Sequence, residues 1–599
     1  METNQKIINI GGSFIIQETD PNDVFTPEDF TEEHKMMKES VQEFVDREVI
    51  PQKYCFEKKD YKLTEELMKR AGELGFLGIS VPEQYGGLGM GFVSSMLVCD
   101  YISGASGSIS TAFGAHTGIG TLPITLYGTE EQKQKYVPNL ASGKWFGSYC
   151  LTEPGSGSDA NSGKTKAVLS NDGNYYKISG QKMWITNAGF ASLFIVFARI
   201  KDDKNITSFL VPNDPSNGIT LGDEENKLGI HSSSTRQVFF NETIVPISDM
   251  LGKRQQGFKI AMNALNVGRI KLGVACLDAQ RRVITEAVKY SNERIQFNAP
   301  ISSFGAIKEK IARMTTSCYI GESACYRAAK DVENRIQSFL DKDLSQQDSE
   351  LKGVEDFAIE CSILKIGASE DIQNCADEGI QIFGGMGFSA ETPMEGAWRD
   401  ARIGRIYEGT NEINRMLSIA MLLKKGMKGE INLMEAVMNA KNELLKNSKK
   451  NDESINSLSN EEELLKNLKK IFLILIGKSV KKYGQGLDKK QQILLSLSDI
   501  LIEIYMIDSG LKRTIKNIIR SDEKSQSFQI AMTQSYLYEA NEIIQKNAKD
   551  IILSISEGKE KKELLELIKN ICDYKSCPNI FELKTKIADR IINENKYCF

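Results

Sequence analysis

The middle of this chain, from residue 148 to about residue 245, has a different pattern of residue types from the sequence on either side. It contains short runs of β-branched and aromatic residues separated by Asn, Asp and Gly, which is the pattern of strands joined by turns. The runs are Tyr175 to Gly180, Leu193 to Ile200, Ile206 to Pro212 and Gln237 to Phe240. This segment predicts a β-barrel-like or β-sandwich domain, inserted between two parts of a different kind.

Both flanks carry apolar residues at helical spacing. Before the β-segment, Met37, Val41 and Phe44 recur on one helical face, and Thr129 with Gln132 forms a capping-box pattern at another helix start. At 599 residues the chain is long enough for about three to five structural units. We therefore predict a multidomain protein: an N-terminal arm at 1–30, an all-α N-terminal domain at 31–147, the β-domain at 148–256, a C-terminal four-helix bundle at 257–425, a linker at 426–459 and an extra helical extension at 460–599.

The linker prediction depends on composition. From about Leu444 to Ser459 the sequence is rich in Asn, Ser and Lys and poor in apolar residues, and Ser459 with Glu462 then resembles a helix start. Beyond this point Leu, Ile and Lys recur at helical spacing with few glycines. The pattern predicts a separate helical unit but does not indicate its purpose.

Composition lowers the expectation of several function classes. The net charge of −5 gives no positive field for nucleic acid, and three histidines leave little material for a metal site or a serine-hydrolase triad. The cysteines contain no CxxC pair, and Cys150, Cys361 and Cys375 are interpreted as packing residues. The first residues do not resemble a targeting segment, and the longest aliphatic and aromatic run, Ile471 to Ile476, is too short to span a bilayer. We expect a cytoplasmic protein without a metal.

The stretch RIYEGTNEINR, residues 405–415, carries the most informative acid of the chain. Glu408 directly precedes Gly409 and Thr410, so it lies in a loop that leads into a helix, where free N–H groups attract anions. Glu408 is our candidate catalytic base. The alternative is a solvated acid beside a helix start, which is the commoner case for an isolated Glu-Gly-Thr.

Two further stretches suit a flat, oxygen-rich ligand. In YCLTEPGSGSD, residues 149–159, glycines and small hydroxyls such as Thr152 and Ser158 follow a short strand and permit close backbone approach. In KMWITN, Trp184 and Thr186 are two residues apart, so they are expected on one face of a strand. The alternatives are a surface turn and a core tryptophan.

Two helix ends complete the set. Arg294 and Phe297, in RIQFNAPI, offer a cation and an aromatic ring suited to pyrophosphate and adenine. Gln381 is followed by Gly384 and Gly385, which permit close backbone approach. Each signal has an ordinary explanation, because cations and glycines often occur where helices end.

In this order and spacing, YCLTEPGSGSD, KMWITN, RIQFNAPI, GIQIFGGMGF and RIYEGTNEINR resemble the signatures of the acyl-CoA dehydrogenase family, over residues 30 to 422. The very-long-chain branch is the most similar, through AMNALNVGRIKLG, FGAIKEKIARM and the helical extension. The resemblance implies that Glu408 removes the pro-R α-proton of a CoA thioester while a β-hydride passes to N5 of FAD. It also implies that the Glu408 N–H and a flavin ribityl hydroxyl polarise the thioester carbonyl.

The resemblance assigns further residues to ligands. It implies FAD contacts for Tyr149, Leu151, Thr152, Ser158, Trp184, Thr186, Thr410 and Glu412, and contacts to the FAD of a neighbouring subunit for Arg294, Phe297, Gln381, Gly384 and Gly385. It implies substrate contacts for Ser158, Asn266, Arg269 and Gly409. We therefore expect a homodimer, or a dimer of dimers, because a neighbouring subunit would complete each FAD site.

Three positions qualify the resemblance. Some branches, such as the isovaleryl-CoA dehydrogenases, carry their base at the position of Gly268, and glycine cannot serve, so Glu408 has no rival. Glu412 lies where many members have Gln, which could weaken an FAD contact. The stretch from Ser338 to Gly353 is unusually polar and is expected to be a surface insertion.

The resemblance implies an enzyme of fatty-acid β-oxidation that forms trans-2-enoyl-CoA and passes electrons to an electron-transfer flavoprotein. Long acyl chains are expected, with room for the tail beside Gly104, Ala105, Gly107 and Ala112. The alternatives are an acyl-CoA oxidase and a largely non-catalytic assembly or scaffold factor. A lysine-rich stretch has two interpretations, a solvated helix face or peripheral contact with the inner face of the membrane. It contains Lys424, Lys425, Lys428, Lys441, Lys446, Lys449 and Lys450.

Overall fold

The computed structural model describes residues 8–446, 457–574 and 577–599. Its architecture is a helical N-terminal part, a central sheet and a long helical C-terminal part, which confirms the predicted fold class. The first helices are α1 (Glu32–Phe44), α2 (Lys53–Glu57), α3 (Tyr61–Glu73), α4 (Phe92–Ser103), α5 (Gly107–Gly114), α6 (Leu122–Tyr127) and α7 (Glu130–Ala141). The predicted capping box is present, because Thr129 Oγ1 accepts from the Gln132 N–H at 3.3 Å and Gln132 Oε1 accepts from the Thr129 N–H at 3.1 Å.

The central sheet is built from β1 (Gly147–Cys150), β2 (Lys166–Leu169), β3 (Tyr175–Thr186), β4 (Leu193–Ile200), β5 (Thr207–Pro212), β6 (Ile219–Glu224), β7 (Thr235–Pro246) and β8 (Met250–Leu251). The strand order is β6-β7-β3-β2-β4-β5-β8, and β1 pairs in parallel with β4. β4 is buried along nearly its whole length, since both of its faces are covered. Phe194 and Val196 pack on one side, and Ile195 and Phe197 on the other. The sheet thus anchors β1, from which the Gly-Ser loop departs.

The bundle is built from long helices that pack along one another. They are α8 (Gly257–Glu293), α9 (Gly305–Leu340), α10 (Gln346–Asp356), α11 (Ala358–Phe383), α12 (Met394–Arg402) and α13 (Asn411–Met427), with a short hairpin of β9 (Ile295–Gln296) and β10 (Ala299–Pro300) after α8. Within the described ranges α8 alone is long and apolar enough to cross a membrane, but 78% of its apolar window is buried in the protein. α8 is therefore a buried helix of the bundle, packed on α4, α9 and α11.

Two sequence expectations in this region need correction. The polar stretch 338–353 is not simply a surface insertion, because most of α10 lies in it and packs on α9, with Gly353 against Ile336. The predicted linker 426–459 contains helix α14 (Leu433–Lys446), in which Leu433 and Ala440 are buried. Apolar residues at helical spacing therefore extend into the Lys-rich and Asn-rich sequence. Residues 447–456 of the predicted linker lie outside the described residues.

The extension continues with α15 (Ser459–Tyr483), α16 (Gln491–Arg520), α17 (Ser527–Ile555), α18 (Gly558–Ile571) and α19 (Ile580–Glu594). α15 begins at Ser459 as expected, but the residue at the cap position is Leu458, whose own side chain makes no capping hydrogen bond. α16 packs on both α9 and α13. Buried ion pairs accompany this packing, such as Arg327 Nη1 to Asp508 Oδ2 at 2.9 Å. The extension is therefore fastened to the bundle along two of its helices.

Candidate active site

Glu408 lies in a tight turn between α12 and α13. Its φ of 58° is in the left-handed region, which few residues other than glycine adopt, and Gly409 follows with a φ of 81°. Thr410 then caps α13, because its Oγ1 accepts from the Ile413 N–H at 3.3 Å. The turn holds the Glu408 side chain away from the helix that its own segment begins.

The Glu408 carboxylate is left without a partner in the described part of the chain. Its Oε2 is sealed from solvent and has no hydrogen-bond donor. Burial raises the pKa of Glu408 to about 7, although Arg269 and Lys365 act in the opposite direction. An unpaired carboxyl group with a pKa near neutrality can exchange protons at physiological pH, as a general base must.

Three donors hold the turn through its backbone carbonyls and leave the carboxylate free. Arg269 Nε donates to the Glu408 carbonyl at 3.2 Å, Lys365 Nζ to the Gly409 carbonyl at 2.7 Å, and Asn414 Nδ2 to the Gly409 carbonyl at 2.8 Å. Burial lowers the pKa of Lys365 to about 7, and the Glu408 carboxylate opposes that shift. These residues orient the base without neutralising it.

The residues beside Glu408 divide into those that touch its turn and one that faces its carboxylate. Arg269 is buried and also donates from Nη1 to Asn266 Oδ1 at 2.8 Å. These two residues, both predicted to contact the substrate, therefore lie on one face of α8. Gly268 faces the acid directly, because a methyl group added there would lie 2.6 Å from Glu408 Oε2. The Glu408 carboxylate therefore occupies the space that a side chain at residue 268 would fill.

A cavity of about 1450 Å³ opens in front of Glu408. Glu408, Gly268 and Thr186 contribute to its wall, together with three of the four small residues proposed to leave room for a tail, Gly104, Ala105 and Gly107. Ala112, the fourth, is buried and its carbonyl accepts from Asn187 Nδ2 at 2.9 Å. A second cavity of about 280 Å³ lies nearby, and Lys271 lines both cavities.

The residues predicted for the flat ligand lie on β1, β3 and the loop after β1. Tyr149 and Leu151 are buried, Thr152 is half-buried, and Ser158 is exposed. The Met183 N–H donates to the Thr152 carbonyl at 3.0 Å, which joins the two segments. Trp184 has a φ of 59° at an irregularity in β3, and its side chain is 52% exposed. Trp184 is therefore not a core tryptophan, and Thr186 beyond it reaches the Glu408 cavity.

A second cluster forms where α8 and α11 end. Tyr290 stacks on Phe383 with ring centroids 4.1 Å apart, which brings the RIQFNAPI and GIQIFGGMGF segments together. Arg294, Gln381, Gly384 and Gly385 are exposed, and Phe297 is 91% exposed. A methyl group added at Gly384 or Gly385 would meet no atom within 4 Å in the described structure. None of these residues lines the Glu408 cavity.

Several residues at the site were not identified from the sequence. Lys365 is a lone cation in the apolar part of α11, and Asn411 and Asn414 are buried at the start of α13. Under the Gly-Ser loop, Lys182 and Glu153 form a buried ion pair at 2.7 Å. The sequence signal that could have indicated these residues is a lysine or asparagine inside an otherwise apolar pattern. Thr410 caps its helix, whereas Glu412 is exposed.

Comparison with known proteins matches most of the chain to one family. Models described as acyl-CoA dehydrogenase N-terminal domain, middle domain and C-terminal domain match residues 31–144, 148–243 and 255–423. A further model, also described as acyl-CoA dehydrogenase C-terminal domain, matches residues 467–570 of the extension. The extension is therefore a recurring unit of such proteins.

Individual relatives agree with the family models. A probable acyl-CoA dehydrogenase of Bacillus subtilis is 39% identical, over 98% of each chain. The very long-chain specific enzyme of rat mitochondria is 32% identical over 85% of this chain and 78% of its own. The crystal structure of a Bacillus anthracis acyl-CoA dehydrogenase complexed with FAD has 38% identity and a TM-score of 0.96, over 99% of this chain and 100% of that chain. The chain belongs to the acyl-CoA dehydrogenase family.

Proposed function

We propose that this protein is an FAD-dependent dehydrogenase that converts an acyl-CoA to the trans-2-enoyl-CoA with Glu408 as its base. One observation carries the proposal: Glu408 Oε2 is buried and unpaired within the described structure, in the wall of the large cavity. A carboxylate used only for structure would be paired, because leaving a buried charge without a partner costs several kcal/mol. The pKa of about 7 suits proton abstraction near neutral pH.

The chain's own residues account for the proton. Glu408 accepts the α-proton of the thioester, while Arg269, Lys365 and Asn414 keep its turn fixed through the carbonyl contacts. The N–H of Glu408 makes no hydrogen bond within the described residues, so it is free to donate to the thioester carbonyl as negative charge develops. A positioned base contributes about 10²–10⁴-fold to such a step.

The residues present fit FAD. The exposed ring of Trp184, held in a strained backbone conformation, offers a flat surface next to Thr186, which lies in the same cavity wall as Glu408. We propose that this face binds the isoalloxazine through Tyr149, Leu151, Thr152, Trp184 and Thr186, with Ser158 near the phosphates and Thr410 and Glu412 at the far side. FAD, when bound, supplies the acceptor for the hydride that leaves the β-carbon. The FAD complex of the Bacillus anthracis relative supports this assignment.

We further propose a homodimer in which the exposed cluster around Phe297 completes the FAD site of the neighbouring subunit. A largely exposed phenylalanine is costly for a free surface, and it suits a ligand or a partner, as do the two unobstructed glycines at the end of α11. Light scattering of the purified protein with and without FAD tests this proposal. A monomer that retains stoichiometric flavin would contradict it.

Long-chain substrates are supported by the very long-chain specific rat relative. We propose Ser158, Asn266, Arg269 and Gly409 as the residues nearest the CoA thioester, and an electron-transfer flavoprotein as the acceptor of the electrons.

A location in the cytoplasm is proposed. Of the lysines considered for membrane contact, Lys425 is buried and ion-paired with Asp356, whereas Lys424 and Lys428 are exposed. The Lys441 and Lys446 side chains, and Lys449 and Lys450, lie outside the described residues.

The function is tested by anaerobic titration of the flavin-loaded protein with acyl-CoAs of increasing length. Bleaching of the flavin absorbance is expected, with the largest amplitude for long chains. The Glu408→Gln variant, which keeps the shape of the side chain but cannot accept the proton, should bind the same substrates and bleach at least about 10²-fold more slowly. Equal rates would contradict the base assignment, and peroxide formed without an added acceptor would instead indicate an oxidase.

A further inference from the structure

One arginine on the helix that follows Glu408 contacts both the bundle and the extension. Arg415, on α13, donates from Nε to Asp499 Oδ1 on α16 at 2.7 Å. The other two nitrogens of its guanidinium donate to the two carboxylate oxygens of Glu370 on α11, at 2.8 and 2.9 Å. The paired contact fixes the plane of the guanidinium, and Asp499 holds its third nitrogen. Arg415 is therefore a junction between the bundle, the helix after the base and the extension.

From this junction, hydrogen bonds continue to the base. Asn411 Nδ2 donates to Glu370 Oε1 at 2.9 Å, and Asn411 Oδ1 accepts from Lys365 Nζ at 2.6 Å. Lys365 Nζ also donates to the Gly409 carbonyl at 2.7 Å, directly after Glu408. Asn411 and Lys365 are almost fully buried, where hydrogen bonds are stronger than in water. An unbroken series of contacts thus links the extension to the turn that carries the base.

We propose that Asp499 is a positioning residue for Glu408, and that the extension serves catalysis by fixing the turn that carries this base. The inference rests on the proposed function, in which Glu408 accepts the α-proton. Asp499 does not line the cavity and acts only through Arg415. This assigns a role to a helical unit whose purpose the sequence does not indicate.

The backbone of Glu408 explains why such support is needed. Its left-handed φ of 58° is costly for a residue with a side chain and persists only where the surroundings fix it from several directions. Proton transfer depends steeply on geometry, since a displacement of about 1 Å can cost about 10²-fold in rate. Loss of the Arg415 anchor would let α13 and its turn relax.

The interface between α13 and α16 supplies a matched control. Ser418 Oγ and Ser498 Oγ are 3.0 Å apart in the same interface, and Ser498 immediately precedes Asp499. Ser498→Ala therefore removes a contact between the same two helices without touching Arg415 or Glu370. Asp499→Ala removes the acceptor for Arg415, and Asp499→Asn keeps an acceptor oxygen at the same place.

The experiment compares the three full-length variants with wild type, all loaded with FAD. The readouts are kcat and KM for an acyl-CoA with a dye acceptor, the flavin content and the Tm. Asp499→Ala is expected to lower kcat per bound flavin about three- to tenfold, a typical size for coupling through a contact network, with KM changed less than about twofold. Ser498→Ala should keep the wild-type kcat, and Asp499→Asn should regain most of it.

Other outcomes decide against the proposal. If Asp499→Ala lowers Tm or flavin content but keeps kcat per bound flavin, or if Ser498→Ala loses as much kcat, the extension is only a structural support. If Asp499→Ala fails to fold, Arg415→Lys replaces it as the test. This variant keeps the positive charge but cannot contact Glu370 and Asp499 at the same time through a guanidinium, so it must lower kcat for the proposal to stand. Wild-type protein whose flavin no acyl-CoA bleaches would contradict the proposed function itself, whereas active wild type with an unaffected Asp499→Ala contradicts only the positioning role.

Discussion

Gly268 on α8 lies directly against the Glu408 carboxylate, with the site of an added methyl group 2.6 Å from Oε2 and 2.9 Å from Cδ. The absence of a side chain at residue 268 is thus a condition for the position of the base.

We expect Gly268→Ala to displace the Glu408 carboxylate and to lower kcat by at least about tenfold, because proton transfer requires close geometry. The glycine lies within a helix, so alanine suits the local backbone and the protein should still fold. Steady-state kinetics with a long-chain acyl-CoA measures the effect. Gly367→Ala is the control, because the nearest atom to its new methyl group is Met506 Cε at 3.7 Å. A Gly268→Ala variant with wild-type kcat would show that the carboxylate tolerates the methyl group.

The kcat of the wild type should rise with pH through about 7, since Glu408 must lose its proton to act as a base. In the described structure the charged or titratable groups that interact with this carboxylate are Arg269, Lys365, Tyr149 and Tyr407. Lys365 lowers the pKa of Glu408, so Lys365→Met should move the rising limb to higher pH. The two groups titrate in the same range and as a coupled pair. The pH profiles of kcat for both proteins check this, and a limb shifted to lower pH would contradict it.

Lys182→Met should destabilise the β-domain by about 3–5 kcal/mol, because it leaves Glu153 buried without its partner. Glu153 also accepts the N–H of Thr165 at 3.1 Å and supports the Gly-Ser loop, so the flavin content should fall as well. Denaturant unfolding and flavin absorbance provide the two measurements. The double variant Glu153→Gln with Lys182→Met should recover part of the stability. A single variant as stable as wild type would mean that the ion pair contributes little.

Lys271→Met should leave the free energy of unfolding unchanged or raise it by about 1–3 kcal/mol. The ammonium group is buried, burial lowers its pKa, and in the described structure its hydrogen-bond partner is Thr117 Oγ1 at 2.9 Å, without a carboxylate. Since Lys271 lines both cavities, the apolar side chain should also favour longer acyl chains. Urea unfolding and a chain-length series are the measurements. Lys365→Met, by contrast, should be destabilising, because it removes the hydrogen bond that Lys365 Nζ donates to the buried Asn411 Oδ1.

The sequence was most informative where structure is local. The turn at Glu408, the capping box at Thr129 and the ends of α8 and α11 depend on neighbours a few residues away, and their residue types indicate them directly. The strands of the β-domain were recognisable for the same reason. Trp184 could be predicted as a site residue for another reason. The short motif that contains it is weak alone, but several such motifs occur along the chain in a characteristic order.

Contacts between distant segments could not be predicted. Lys365 and Gly409 are 44 positions apart, and nothing near Lys365 indicates that its ammonium supports the turn of the base. The sequence predicts a linker where α14 lies, because lysine and asparagine outnumber apolar residues around its end, yet burial of Leu433 and Ala440 stabilises the helix. The junction of Arg415 with Asp499 joins helices that the sequence presents as separate units.

Two acids that precede α1 are paired with basic residues of α16 in the extension. Glu28 is paired with Arg513 at 2.7 Å, and Asp29 with Lys516 at 2.7 Å and Arg520 at 2.6 Å. Burial opposes ionisation of Glu28, but the pairing with Arg513 keeps its pKa at about 2, so the bond persists across the physiological range. During synthesis Glu28 and Asp29 therefore leave the ribosome long before α16, which carries their partners, and these ion pairs can form only after α16 has been made.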